Sequence, residues 1–303
     1  MLTRIRLQNF RGFDEHELPI EPITLTVGRN NAGKSSIIEA LRFIALATNR
    51  YQTVQYIDPP GELDLPDTHR GVSPSLREFD FDRINLFFRY RDPPALIEAH
   101  FDNGASITIY LSGSEEIFVV IRNRSGQIIQ SQPQARYLKL PKISIMPQVT
   151  PVADSETPLN DAYVRRSVSG VRTSIRFRNE LRVFSNYFSE FKRLCEESWP
   201  RLQIRELATG RGESRNELEL YVRDEDFVGD VRWMGHGLQI WLQTMWFLAR
   251  VGKEDIIVLD EPDVYLHADL QRKLIRLLKR QDRQSIIVTH SVEMMAEVEP
   301  KSN

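Results

Sequence analysis

Near its start the chain passes from a β-rich run, Ile23-Thr24-Leu25-Thr26-Val27, through Gly28-Arg29-Asn30-Asn31-Ala32-Gly33-Lys34-Ser35, into a helical pattern. In that pattern Ile37, Ile38, Leu41, Ile44 and Ala45 share one face. A strand closing on Gly28 and a helix opening behind Gly33 restrict the fold severely, because the glycines let successive N–H groups curl toward one point. The helix N-terminus adds its partial positive charge at the same point. Such a nest suits a phosphate chain. Lys34 is spaced to reach β- and γ-phosphates, and the Ser35 hydroxyl to ligate Mg²⁺. Asn30, Asn31, Ala32, Gly33, Lys34, Ser35 and Ser36 are therefore candidate nucleotide-binding residues, and an α/β fold is expected.

Far along the chain, Ile256-Ile257-Val258-Leu259 runs into Asp260-Glu261-Pro262. Four apolar residues read as a buried parallel strand, which delivers the two carboxylates to its C-terminal edge. Asp260 is the candidate Mg²⁺ holder, and Glu261 the candidate base that orients and deprotonates an attacking water. One strand later, Ile286-Ile287-Val288-Thr289 ends on His290. An imidazole at that edge suits contact with a γ-phosphate. With Lys34, Glu261 and His290 form the candidate catalytic set, with ATP and Mg²⁺ as the ligands they serve.

Between these ends the pattern changes. Residues 52–82 are rich in Pro, Gly and Asp and read as a surface loop. Strand-like runs cover 84–91, 95–101, 106–111, 117–122 and 127–130, with Asp102-Asn103-Gly104 and Ser125-Gly126 as hairpin turns. From Arg176 to Trp199, apolar residues at three- and four-residue spacing predict one amphipathic helix. Two strands follow, at 202–207 and 217–222, then helices from Leu238 to Arg250 and from Asp269 to Arg280. The expected architecture is one domain: an N-terminal lobe with the first thirty residues as a β-meander (1–50), an antiparallel β-subdomain (84–150), a short helical and strand insertion (160–230) and a C-terminal lobe (231–303). Its core sheet is expected to be mostly parallel.

Composition narrows the setting. The single cysteine, Cys195, excludes an internal disulfide framework and fits a reducing, cytoplasmic location. MLTRIRLQNF lacks the apolar core of a signal peptide, and no window approaches the ~20 apolar residues of a membrane span. The net charge of −2 carries no general affinity for nucleic acid, so any such contact must be local. Arg165, Arg166, Arg172, Arg176, Arg178 and Arg182 form the one basic cluster. They either neutralise phosphates of duplex DNA or make a solvated helix face balanced by Glu180 and Glu190.

Taken together, the phosphate loop, the acidic pair and the late histidine resemble the ABC ATPase superfamily. Leu7-Gln8-Asn9-Phe10-Arg11-Gly12-Phe13 is similar to the opening of its RecF, SMC and OLD (overcoming lysogenisation defect) branch, and Asp260-Glu261-Pro262-Asp263-Val264-Tyr265-Leu266-His267 is closest to the OLD-like AAA ATPases. The resemblance implies a P-loop ATPase head that dimerises, or forms a higher oligomer, through its nucleotide sites. It places Trp233-Met234-Gly235-His236-Gly237-Leu238-Gln239 at the signature position, so that His236 and Gly237 face the γ-phosphate bound to another subunit; His236 stands where the family has serine. It also nominates Gln148 as a Mg²⁺ ligand and Arg11 as a nucleotide contact; a simple glycine-rich helix start, an ordinary loop glutamine and a turn arginine are the plainer readings of these three. No room exists for a long coiled-coil arm. OLD-like proteins carry a nuclease module after the head, and this chain ends shortly after His290; the nuclease is expected in a missing C-terminal module, in a partner acting in trans, or not at all. The expected function is an ATP-hydrolysing head controlling a DNA-directed process such as phage defence or repair. A transporter ATPase subunit and an ATP-gated scaffold with little turnover are the alternatives.

Overall fold

The computed structural model describes residues 1–28, 33–76, 85–113, 117–167, 174–209 and 216–298. The chain divides into two compact units, one made of residues 1–144, 253–258 and 282–288, the other of 145–252, 259–281 and 289–303.

The first unit begins with β1 (Leu2–Phe10) and β2 (Phe13–Pro19), a hairpin turning at Arg11 and Gly12. Next come β3 (Ile23–Val27), α1 (Lys34–Arg50), β4 (Tyr56–Ile57), β5 (Gly71–Val72), β6 (Ala95–Phe101), β7 (Ser106–Leu111), β8 (Ile117–Arg122), α2 (Gln132–Tyr137) and β9 (Ile143–Met146). Seven of these strands form a sheet in the order β2-β1-β6-β7-β8-β5-β4, with every neighbouring pair antiparallel. Here the expectation of a mostly parallel core sheet is corrected. Short connections such as Asp102-Asn103-Gly104, where Gly104 takes φ 80° and donates to Phe101 O, leave the next strand no option but to run back. In β6 Ala95, Ile97, Ala99 and Phe101 are buried in strict alternation, and α1 packs on β6 and β7.

The other sheet in which the first unit takes part runs β3-β14-β13-β9, with β13 at Ile256–Asp260 and β14 at Ser285–Thr289. Ile256 N donates to Lys142 O, Ile257 N to Gln284 O and Ser285 N to Pro22 O. Each bond ties the start of one strand to the start of its neighbour, so these strands run in the same direction. The parallel arrangement expected from the apolar runs is thus confined to this smaller sheet. β3 leaves the predicted N-terminal meander to join it.

The second unit holds α3 (Asp161–Ser167), α4 (Phe177–Val183), α5 (Phe188–Ser198), β10 (Leu202–Thr209), β11 (Leu218–Asp224), β12 (Phe227–Asp230), α6 (His236–Arg250), α7 (Ala268–Lys279) and α8 (Val292–Ala296). β10, β11 and β12 form an antiparallel sheet. The core is aromatic: Phe177, Phe191, Trp241 and Trp246 are all buried, and Phe191 meets the Trp246 ring edge-on at 5.7 Å.

Other expectations also change. The single helix over 176–199 is interrupted at Phe184, whose ψ of 40° leaves the helical region, and Ser185–Tyr187 form one 3₁₀ turn. Ser185 and Asn186 are weak helix formers that compete for backbone hydrogen bonds. The strand expected at 84–91 gives way to a turn, because Arg89 and Tyr90 adopt φ 50° and 59°. Only a bridge, Arg122 to Ile128, remains of the strand at 127–130. Part of the supposed loop at 52–82 supplies β4 and β5, while its end lies outside the described residues. Among the described residues no helix is long and apolar enough to cross a membrane.

Candidate functional site

The phosphate loop belongs to the first unit. Gly33 precedes α1 in the left-handed region at φ 87°, which glycine adopts without steric cost. A Cβ at Gly33 would lie 2.6 Å from Phe13 Cζ, so this ring of β2 packs directly against the glycine. Lys34 is buried and its ammonium donates to Gly28 O at 2.7 Å, across the mouth of the loop. Ser35 is exposed at the first turn of α1 and Ser36 is buried beside it. Asn30, Asn31 and Ala32 lie outside the described residues.

Arg11 sits at the hairpin turn, with φ 49° and its N–H donating to Leu86 O at 2.8 Å. Its guanidinium pairs with Glu39 of α1, Nη2 donating to Oε1 at 2.7 Å. Both side chains are largely buried. Glu39 thus fixes the arginine that the sequence placed near the nucleotide, and nothing in the spacing of the two residues announces it.

Glycine at position 33 is a requirement of this geometry. Gly33→Ala forces a left-handed alanine and displaces Phe13. A strain of about 1–2 kcal/mol corresponds to roughly ten-fold weaker ATP binding in calorimetry. An unchanged affinity would show that the loop tolerates the displacement.

The acidic pair and the histidine belong to the second unit. β13 ends at Asp260, and Glu261 turns the chain with φ 47°. Its Oε1 lies 3.3 Å from His290 Nε2, both side chains about one-third exposed. The histidine is held on each side. Thr289 Oγ1 donates to Asp263 and accepts from Ser291 N at 2.9 Å, while Ser291 Oγ meets Gln271 Oε1 at 2.6 Å and caps α8 by accepting from Met294 N. Asp263, Gln271 and Ser291 escape sequence reasoning; only Asp263 has a local signal, as part of the acidic motif. Asp260 is half-buried at its strand end, and Gln148 is exposed two residues beyond β9, the neighbour of β13 in the sheet.

The signature segment opens α6. Gly235 precedes the helix and contributes no side-chain cap, and Leu238 N and Gln239 N close the first turn onto its carbonyl at 3.0 and 3.2 Å. The His236 ring stands edge-on to Tyr265 at 5.6 Å. A Cβ on Gly237 would lie 3.2 Å from Tyr265 O, so the segment after the acidic pair packs against the start of α6. Tyr265, with φ 66°, is a further residue the sequence did not single out.

The basic cluster does not form one surface. Arg178 is fully buried, its Nη2 donating to Asp230 Oδ1 at 2.8 Å and its Nη1 to Ala153 O at 2.8 Å and Glu156 Oε1 at 3.3 Å. Its assignment to a nucleic-acid surface is therefore corrected. The apolar periodicity around it marks a face turned inward, and two carboxylates meet its charge there. Arg165 donates to Val183 O, Arg176 to the Tyr163 hydroxyl, and Arg182 to Leu159 O and Asp161. Arg166 is exposed on α3, and Arg172 lies outside the described residues.

A family described as "AAA domain, putative AbiEii toxin, Type IV TA system" matches residues 23–296. The OLD nuclease of Thermus scotoductus is 23% identical, over 96% of this chain and 59% of its own length. The Old nuclease of Escherichia phage P2 is 21% identical, over 97% of this chain and 57% of its own length. The chain thus spans less than two thirds of the curated relatives it matches. The RecF protein of Roseiflexus castenholzii, a DNA replication and repair protein, is 27% identical over 30% of the chain. In fold, the chain is similar to the SMC head domain from Thermotoga maritima, with a TM-score of 0.56, 16% identity and coverage of 98% and 91% of the two chains. An Smc head bound to the C-winged helix domain of ScpA gives a TM-score of 0.60, again at 16% identity, covering 98% and 92%.

Proposed function

The chain belongs to the AAA-domain family, as an ABC-type ATPase of the OLD, RecF and SMC-like group, and from that premise we propose that it binds ATP with Mg²⁺, hydrolyses it, and as an ATP-held dimer controls a DNA-directed process. The observation that carries the hydrolytic part is the meeting of Glu261 and His290 at 3.3 Å, two strand-end residues whose flanks are fixed by hydrogen bonds. A carboxylate next to an imidazole can take a proton from water and stay oriented while doing so.

The remaining roles follow from the chemistry of each group. Lys34 and the N–H groups at the start of α1 bind the phosphate chain. Ser35, Asp260 and Gln148 offer hydroxyl, carboxylate and amide oxygens, the hard donor set that suits Mg²⁺. When bound, that ion neutralises charge developing on the phosphates. Arg11 lies against the nucleotide, and Glu39 sets its orientation. His236 and Gly237 present the start of α6 to the nucleotide of a second subunit, where a histidine N–H donates to the γ-phosphate. ATP shared in this way holds the dimer, and hydrolysis releases it. The DNA link is drawn from the relatives, whose names are those of nucleases and of a repair protein. Three arrangements fit this reading: a nuclease in a further module, a nuclease partner acting in trans, or no nuclease; the expected setting is the cytoplasm.

Steady-state ATP turnover across a range of protein concentrations, with and without duplex DNA, tests this reading. The expected result is turnover that rises more steeply than linearly with concentration and is stimulated by the duplex. Linear turnover indifferent to DNA would sink both the dimer and the DNA link.

A further inference from the structure

Gln239 and Gln243 lie one turn apart on α6, both buried, and therefore share a face. Gln239 Oε1 accepts from Val152 N at 3.0 Å, and Gln243 Nε2 donates to Thr150 O at 2.9 Å. Two side chains on one helix thus grip a backbone donor and a backbone acceptor of the stretch that follows Gln148. The other end of the Gln239 amide points the opposite way along the chain. Its Nε2 donates to Met234 O at 2.8 Å and Arg232 O at 3.2 Å, the carbonyls leading into Gly235 and His236. The amide has one orientation only. Turned over, it would set Nε2 against the Val152 N–H and Oε1 against two carbonyls.

The approach to α6 is also held from its far side. Asp230 accepts from Leu220 N, Arg232 N and buried Arg178, so the 3₁₀ turn Val231–Trp233 is fixed at its start by a carboxylate and at its end by Gln239.

We propose that Gln239 is a positioning residue that joins the Gln148 loop and the Trp233–His236 segment into one body, so that a change of contact at Gln148 is transmitted to His236. This deepens the ATPase reading above and rests on it. Gln239 touches no nucleotide in this account; it acts through the backbone at Val152 and Met234.

Gln239→Leu removes all three hydrogen bonds at similar volume. Gln243→Leu removes the grip on Thr150 and a longer contact to the Gln239 carbonyl at 3.4 Å, leaving the three bonds of the Gln239 side chain in place. Hydrogen exchange followed by mass spectrometry, with ATP in the absence of turnover (EDTA present) and with Mg²⁺-ATP, reads residues 148–152 and 231–237 separately. In the wild type, Mg²⁺-ATP is expected to protect both segments. In Gln239→Leu, Val152 exchanges about ten-fold faster, the loss of one hydrogen bond, and ATP no longer protects 231–237. ATP affinity by calorimetry stays within about two-fold and kcat falls roughly ten-fold, the split expected of a residue that positions without binding. Gln243→Leu exposes 148–152 but leaves the response of 231–237 in place. If Gln239→Leu speeds exchange at Val152 yet keeps both the response of 231–237 and the turnover, the two segments are not coupled and the proposal is overturned. If the wild type binds ATP without any turnover, the hydrolytic reading fails, and the response of 231–237 alone decides this one. Absence of ATP binding by the wild type would overturn both.

Discussion

Glu261→Gln lowers ATP turnover by about 100- to 10,000-fold while leaving ATP affinity within about a factor of two. Glutamine matches glutamate in shape and can still meet His290 across the 3.3 Å contact, so the arrangement of Thr289, His290 and Ser291 survives. What disappears is the capacity to accept a proton from water at neutral pH. Because phosphoryl transfer asks for positioning and charge stabilisation more than covalent chemistry, the loss sits within the range of general-base removal. On the proposed ATP-held dimer, a protein that binds but does not turn over should accumulate as dimer, visible by light scattering with Mg²⁺-ATP and absent with ADP. Calorimetry and phosphate release measure the two halves separately. Persistent turnover would remove Glu261 from the mechanism and leave its unusual backbone without a chemical purpose.

Arg178→Met destabilises the protein by about 3–5 kcal/mol, the cost of stranding the buried Glu156 carboxylate, whose partner has gone. Arg178 is wholly enclosed with Glu156 and Asp230. Burial pushes the Glu156 carboxyl above its usual range, against the N–H groups of Arg178 and Asn179 that favour its charged form. Glu180 is raised by burial in the same way, and is opposed by Arg250 and by the Trp246 indole that donates to it at 2.9 Å. Without Arg178, Glu156 and Asp230 keep their backbone hydrogen bonds, but Glu156 is left with no cation among the described residues, while Asp230 retains Arg232 Nε at 3.0 Å. The melting midpoint should fall by roughly 6–20 °C. Adding Glu156→Gln to the same variant is expected to recover only part of the loss: it removes the charge, but the backbone N–H groups of residues 178 and 179 donate to different oxygens, and one of them then faces the amide NH₂. A fall smaller than about 1 kcal/mol in urea titration would mean that the pocket admits water and that Arg178 is replaceable.

The sequence patterns that proved legible are local ones. A glycine loop between a β-run and a helix, and an apolar run ending in two acids, each declare themselves within a dozen residues, and β13, β14 and α1 lie where those patterns put them. Hairpin turns likewise identified β6, β7 and β8. What could not be read depends on partners far along the chain. β1 pairs with β6 from Leu2 to Phe101, so the seven-stranded sheet has no signature in either strand alone. Arg178 looked like a surface arginine because its carboxylates stand 22 and 52 residues away. The same holds for Glu39 beneath Arg11 and for Tyr265 beside His236. Glu261 and Tyr265 in left-handed conformations were hidden too, since neither residue type favours φ above zero. Such positions are where backbone preference yields to the demands of a site.

Gln284 hydrogen-bonds Leu2 at both its N–H, 2.8 Å, and its carbonyl, 2.6 Å, and reaches Glu21 O as well. On the ribosome this matters for timing. β1 emerges well ahead of Gln284 and receives that clasp only after 282 further residues have been made, on the order of ten seconds or more later. Through most of that interval the first unit lacks β13, and through all of it β14. Newly made chains are therefore committed late and all at once, and a ribosome stalled anywhere before Ser285 leaves a product for chaperones and proteases rather than a working half.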